Sequence, residues 1–342
     1  MTEGPHETRR VKLALQGGGA HGAFTWGVLD RLLEDRRIEV EALCGTSAGA
    51  VNAALVAHGL AEGGGEAARA TLRRFWEEIG RLASLTPLQP CWLDLLVSPG
   101  NMTYSPAWRL ADLMTRQVSP YELNPTNANP LRDLLEGLVD FARLRAGDGP
   151  PLFVCATNVL TGRLRVFERR EMTADRVMAS ACLPMLFQAV EVEGEFFWDG
   201  GYSGNPPIFP LIYMGGGPDV LIVQLNPINI PAVPTAIADI IDRVNTLSFN
   251  ASLMREMRMI RFVTDLIDRG ELPRERHLRL FIHTIAAEEE LARLNASSKL
   301  NATPRFLGYL FALGRARAEA FLAAHFGDLG VRSSTDIDRV FL

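Results

Sequence analysis

Apolar residues in this chain fall into two patterns. Short dense runs, VKLALQ (11–16) and EALCG (41–45), end in glycine and predict buried strands. Longer segments repeat every three to four residues: Phe24, Val28, Leu29, Leu32 and Leu33 within 23–35 predict a helix. A small-residue stretch, 48–60, predicts a second helix, one that can pack close to a sheet. Two strand–turn–helix units in succession predict parallel strands covered by helices. After a glycine-rich joint at 63–65 the pattern is helical again to about residue 82. Regularity then fails over 83–104, where prolines interrupt Leu85, Trp92, Leu93, Leu96 and Met102. Such an insertion reads either as a lid facing substrate or as a loop packed on the core. Strand-like runs return at 151–158, 163–168, 189–201, 219–226 and 278–285. Between 234 and 270 an apolar stripe (Ile237, Ile241, Val244, Leu247, Met254, Met257, Ile260, Val263) predicts a long helix with a core-facing side, and 304–326 predicts a closing helix.

These elements predict an α/β fold, a three-layer α/β/α sandwich with a mostly parallel central sheet. The expected organisation is a polar tail over 1–10 and one domain over 11–342, helical in its last part from 286. The chain has 342 residues, 47% of them hydrophobic, enough for a core without disulfide staples. A net charge of −5 argues against nucleic acid as the main partner. None of Cys44, Cys91, Cys155 and Cys182 sits in a C-x-x-C pair or at zinc-ligand spacing, so they read as reduced thiols and no metal is expected. The polar start MTEGPHETRRVK lacks an apolar signal segment, and no stretch is long and apolar enough to span a bilayer. The expectation is a cytoplasmic protein, with attachment to a membrane surface left open.

The sharpest chemical signal is Gly45-Thr46-Ser47-Ala48-Gly49, a G-x-S-x-G between a predicted strand and a predicted helix. That is the context of a nucleophile elbow: small flanking residues allow the tight turn, which lifts the Ser47 hydroxyl clear at a helix N-terminus. A second signal is QGGGAHG, whose Gly17, Gly19 and Gly22 match the G-x-G-x-x-G of a dinucleotide loop. A dinucleotide fold wants an acid at the end of the second strand, but Glu39 and Glu41 precede the apolar residues of that strand, and its end carries Ser47. Loops at the same edge of a parallel sheet can meet, so Gly17, Gly18 and Gly19 read better as backbone donors to an oxyanion.

A serine nucleophile needs a base. Asp199, in FFWDGGYSGNPP, closes a strand-like run and can approach the serine, although taken alone it reads as a turn residue. The rival is His283 in LFIHTI, in the chain order of a Ser-Asp-His triad, where a structural histidine is also a natural reading. His21 lies inside the glycine loop, to touch substrate or to orient the loop.

Taken in order, LALQGGGAHGAFTWGVLDRLLE, GTSAGA, SACLPMLFQAV and FWDGGYSGNPPI resemble a patatin-like phospholipase over Leu13 to about Pro207. The resemblance implies a Ser47–Asp199 dyad without histidine and an oxyanion hole in the Gly17–Gly19 loop. It also implies hydrolysis of fatty acyl esters of lipids through an acyl-enzyme, with no metal or organic cofactor. His21 stands where the family often carries Arg or Lys, which leaves phospholipid preference open but not acyl-ester hydrolysis. An esterase or thioesterase on soluble acyl groups, and a non-catalytic lipid-binding protein on the same fold, are the alternatives. Acyl-ester lipid is the expected partner, with transient membrane-surface contact.

Overall fold

The computed structural model describes residues 8–273 and 275–342. Eight strands form one sheet: β1 (Arg9–Leu15), β2 (Ile38–Gly45), β3 (Leu152–Asn158), β4 (Leu164–Glu168), β5 (Val190–Val192), β6 (Glu195–Asp199), β7 (Asp219–Gln224) and β8 (Phe281–Ala286). Their order is β5-β6-β3-β2-β1-β7-β8, with β4 also paired to β3. The five strands from β3 to β8 are mutually parallel, and β4, β5 and β6 add an antiparallel edge. Residues 1–7 of the expected polar tail lie outside the described residues, and Arg9 and Arg10 already belong to β1.

Side chains alternate across this sheet, and each set finds its own core. Leu13, Leu15, Leu43, Val154, Leu221 and Val223 face one side, under α1 (Gly22–Glu34), α2 (Ala48–Ser84) and the helix Pro304–His325. Ala14, Ala42, Cys44, Cys155, Val220 and Ile222 face the other, with Leu253, Met257 and Ile260 of the helix Ile237–Asp268. Two cores on opposite faces make three layers, as the periodicity predicts. The cysteines are all free, and Cys44 and Cys155 are buried. No helix among the described residues is long and apolar enough to cross a membrane.

Three local expectations change. The two helices read at 48–60 and 66–82 are joined as α2, kinked at Gly63 and Gly64, where Gly64 takes φ 76°. The run 189–201 is a hairpin rather than one strand: Glu193 (φ 54°) and Gly194 (φ 82°) make a two-residue turn with both φ positive, the type that matches strand twist. The stripe on the long helix is core only in its second half. Ile237, Val244 and Leu247 are 72%, 59% and 51% exposed, because that end of the helix projects beyond the sheet's second core.

Candidate active site

The sheet register brings the two candidate groups together. Gly45 of β2 lies opposite Val154 of β3, and Ala156 lies opposite Asp199 of β6. Ser47 follows Gly45 by two residues and Ala156 follows Val154 by two, so Ser47 and Asp199 sit at one level of the sheet. Asp199 thus reaches the edge where the parallel strands end, although its own strand runs antiparallel to them.

Ser47 has φ 56° and ψ −126°, a conformation sparsely populated for a residue with a side chain, held between β2 and the first turn of α2. Several groups hold it there. Its amide donates to Ser180 Oγ (2.9 Å), which donates to the Cys155 carbonyl (2.6 Å). The Gly49 amide donates to the Thr46 carbonyl (2.8 Å), and Thr46 Oγ1 to the Gly204 carbonyl (2.8 Å). Gly45 has no room for a side chain: a Cβ there would lie 2.4 Å from the Gly49 carbonyl oxygen. These contacts hold a tight strand-to-helix turn of the kind expected around Ser47.

The Asp199 side chain is fully buried. Its Oδ1 accepts the Gly201 amide (2.8 Å), while Oδ2 has no aligned hydrogen-bond partner. Burial pushes the carboxyl up to about 6; the neighbouring Ser47 hydroxyl, the Gly201 amide and the Lys299 ammonium hold it down. Ser47 is therefore beside the carboxylate but not in an aligned bond with it, an arrangement common before substrate binds.

The glycine loop closes the site from the other side. A Cβ on Gly17 would stand 2.6 Å from Ser47 Cβ, so only glycine lets this backbone pass the serine. The Gly17 amide, however, is not free for an oxyanion. It donates to Asn205 Oδ1 (2.7 Å), and its carbonyl accepts from Asn226 Nδ2 (2.8 Å). Gln16 adds bonds to the same two segments: its Nε2 donates to the Asn205 carbonyl, and its Oε1 accepts the Leu225 and Asn226 amides. Among the described residues the Gly18 and Gly19 amides have no acceptor, and both glycines line a cavity with Ser47. Of the three glycines expected as oxyanion donors, Gly17 is thereby corrected to the fixed end of the loop, its amide already bonded to Asn205.

His21 does not face that cavity, which corrects the expectation that it touches substrate. Its ring is buried against Phe306, with Nε2 2.7 Å from Ser298 Oγ. Burial, aided by Lys299, drives its pKa down to about 3, so the ring is neutral and ties the loop to the segment 296–300. His283 is engaged elsewhere. Nε2 meets Asp219 Oδ1 and Nδ1 meets Ser334 Oγ, both at 2.9 Å, near the start of β7 and fully buried. It is a satisfied structural histidine.

Ser47 opens on two cavities. One, about 220 Å³, is apolar and lined by Val51, Phe75, Trp76, Ile79 and Leu131 among others. The second, about 230 Å³, carries Trp108, Tyr202, Asp242, Asn245 and Lys299. No residue of 83–104 lines either one. That segment is pinned to the C-terminal part instead, through Asn101 to the Arg293 carbonyl and the Asn295 amide and through Met102 to Ser297, so it does not cover this site. Sequence reasoning missed Ser180, Asn205, Asn226 and Lys299. Asn205 lies in the same FWDGGYSGNPPI stretch as Asp199 and Ser180 opens SACLPMLF, so both had a local signal; Lys299, in NASSKL, had none.

A mostly parallel α/β sheet with a glycine loop and a strained serine turn at one edge defines the class of patatin-like folds. The chain belongs to the patatin-like phospholipase family, whose signature it matches over residues 13–212. Among solved structures it is similar to VipD from Legionella pneumophila, at 18% identity and a TM-score of 0.46, over 93% of this chain and 67% of that one. It is also similar to the ExoU–SpcU complex of the type III secretion system of Pseudomonas aeruginosa, at 22% identity and a TM-score of 0.33, over 72% of this chain and half of that one. No curated protein sequence matches it.

Proposed function

We propose that this protein is a serine acyl hydrolase that cleaves fatty acyl esters of lipids with a Ser47–Asp199 dyad. One observation carries the reading: a serine in a strained turn, lining two cavities, stands beside a buried carboxylate with one oxygen unpartnered. Asp199 accepts the Ser47 proton as Oγ attacks the ester carbonyl. The Gly18 and Gly19 amides hold the tetrahedral oxyanion. Collapse breaks the acyl–oxygen bond, and the proton on Asp199 passes to the departing alcohol. Water, deprotonated by Asp199, then attacks the acyl-enzyme and releases the fatty acid. The apolar cavity suits the acyl chain. Exposed Trp92, Leu96, Leu110 and Leu113 suit transient contact with the membrane that holds the substrate.

The test is labelling by a fluorophosphonate probe together with p-nitrophenyl ester turnover. Both are expected in the wild type and lost in Ser47→Ala with its melting curve preserved. Absence of labelling in the folded wild type leaves a non-catalytic lipid-binding protein. Turnover of soluble thioesters with none of vesicle lipid makes the protein an esterase for soluble acyl groups.

A further inference from the structure

The second cavity at Ser47 contains one cation and one anion that do not meet. Lys299 and Asp242 both line it. Lys299 Nζ donates to Asn226 Oδ1 at 3.2 Å, which leaves two of its three donors for the cavity. Among the described residues no contact ion pair joins Asp242 to it, although the two attract one another. Trp108, Tyr202 and Phe249 line the same space, the last two edge to face with centroids 5.1 Å apart. His21, inside the glycine loop, is neutral and turned away from this cavity. The carbonyl of Lys299 packs against Gly19 of that loop.

We infer that this cavity is a headgroup site for zwitterionic phospholipids, in which Lys299 binds the phosphate and Asp242, with the aromatic wall, binds the ammonium group. An ammonium finds both a carboxylate and ring faces there, the surroundings that favour a quaternary or primary ammonium. An anionic headgroup would satisfy Lys299 but face Asp242 with no cation of its own, and a neutral diglyceride would leave both charges unanswered. The two cavities share Ser47, Gly19 and Lys299. An ester carbonyl at Ser47 can thus send its acyl chain into the apolar cavity and its glycerol and headgroup into the charged one. This placement rests on the hydrolase reading for where the ester lies.

The experiment measures binding without turnover. Dihexanoyl-phosphatidylcholine, dihexanoyl-phosphatidylglycerol and dihexanoylglycerol are titrated calorimetrically into the Ser47→Ala protein. Phosphatidylcholine is expected to bind about tenfold more tightly than either of the others, the size of one charge-assisted contact. Asp242→Asn, on the exposed half of its helix, should abolish the advantage over phosphatidylglycerol. Lys299→Gln should weaken both phospholipids, leaving phosphatidylcholine only its ammonium contacts, and Lys299→Arg should restore them. Equal affinity for the three lipids, or a phosphatidylcholine preference that survives Asp242→Asn, overturns the assignment, and Asp242→Asn decides alone if Lys299→Gln does not fold. Turnover of p-nitrophenyl butyrate by the wild type separates the two readings. Turnover with no headgroup preference removes the headgroup site alone; a preference without turnover removes the hydrolase alone.

Discussion

The backbone amide of Ser47 is held by the hydroxyl of Ser180, which in turn is held by the Cys155 carbonyl on β3. The serine turn is therefore tied to the strand beside it through a side chain with no chemistry of its own to perform. Ser180→Ala leaves a buried amide and a buried carbonyl without this partner, a loss of about 1–3 kcal/mol of stability. The expected result is a lower melting temperature together with a lower kcat at unchanged KM, because the strained turn is no longer held in one geometry. Unchanged kcat with lowered stability would make the serine purely structural.

Activity is expected to depend on pH through Asp199. The base works ionised, and its pKa is raised to about 6 by burial. A plot of kcat/KM against pH should rise with an apparent pKa near 6 and fall by about tenfold per unit below it. A rising limb near 4 would mean that the carboxylate is solvated in solution.

The same group affects stability in the opposite sense. Its folded pKa, about 6, lies above the ordinary 3.8, so the folded state holds its proton more tightly than the unfolded chain does. Stability from this group is full below about 4 and is lost as pH rises through 6, a difference of about 3 kcal/mol for this fully buried side chain. Asp199→Asn, inactive, should therefore melt above the wild type at pH 8, with the gap closing toward pH 4. Melting curves at the two pH values check it, and a lower melting temperature for Asp199→Asn at pH 8 contradicts it.

Gly17→Ala tests the loop without removing any catalytic group. The added methyl would stand 2.6 Å from Ser47 Cβ and 2.9 Å from the Thr46 carbonyl oxygen. The loop must retreat, and a shift on the order of 1 Å costs about a hundredfold in turnover. Ester assays beside fluorophosphonate labelling would show turnover falling while the protein stays folded.

His283→Gln is expected to lower the melting temperature and leave kcat within about twofold, since its ring nitrogens serve Asp219 and Ser334, not the ester. A folded His283→Gln protein with no turnover would point to a triad.

The layered fold was legible because each strand run and helix stripe carried its own period, and the serine turn because its strand–glycine–helix context is local. What was not legible depended on contacts between distant segments. The Glu193–Gly194 turn was hidden inside one continuous apolar-looking run, although both positive φ values sit at a Glu-Gly pair. Ile237, Val244 and Leu247 have the spacing of core residues, and spacing cannot tell where the supporting sheet stops. His21 offered two readings, contact with substrate or orientation of the loop; Ser298, which takes its ring, lies 277 residues away. Lys299 is the furthest case, a lone cation in a polar stretch that only folding brings beside Ser47.

The glycine loop is fixed by uncharged amide groups from Gln16, Asn205 and Asn226. Dissolved ions screen charges and leave such dipole contacts almost untouched at close range. The backbone beside Ser47 is thus held in place by parts indifferent to ionic strength. In brine the glycine loop would keep its place beside Ser47.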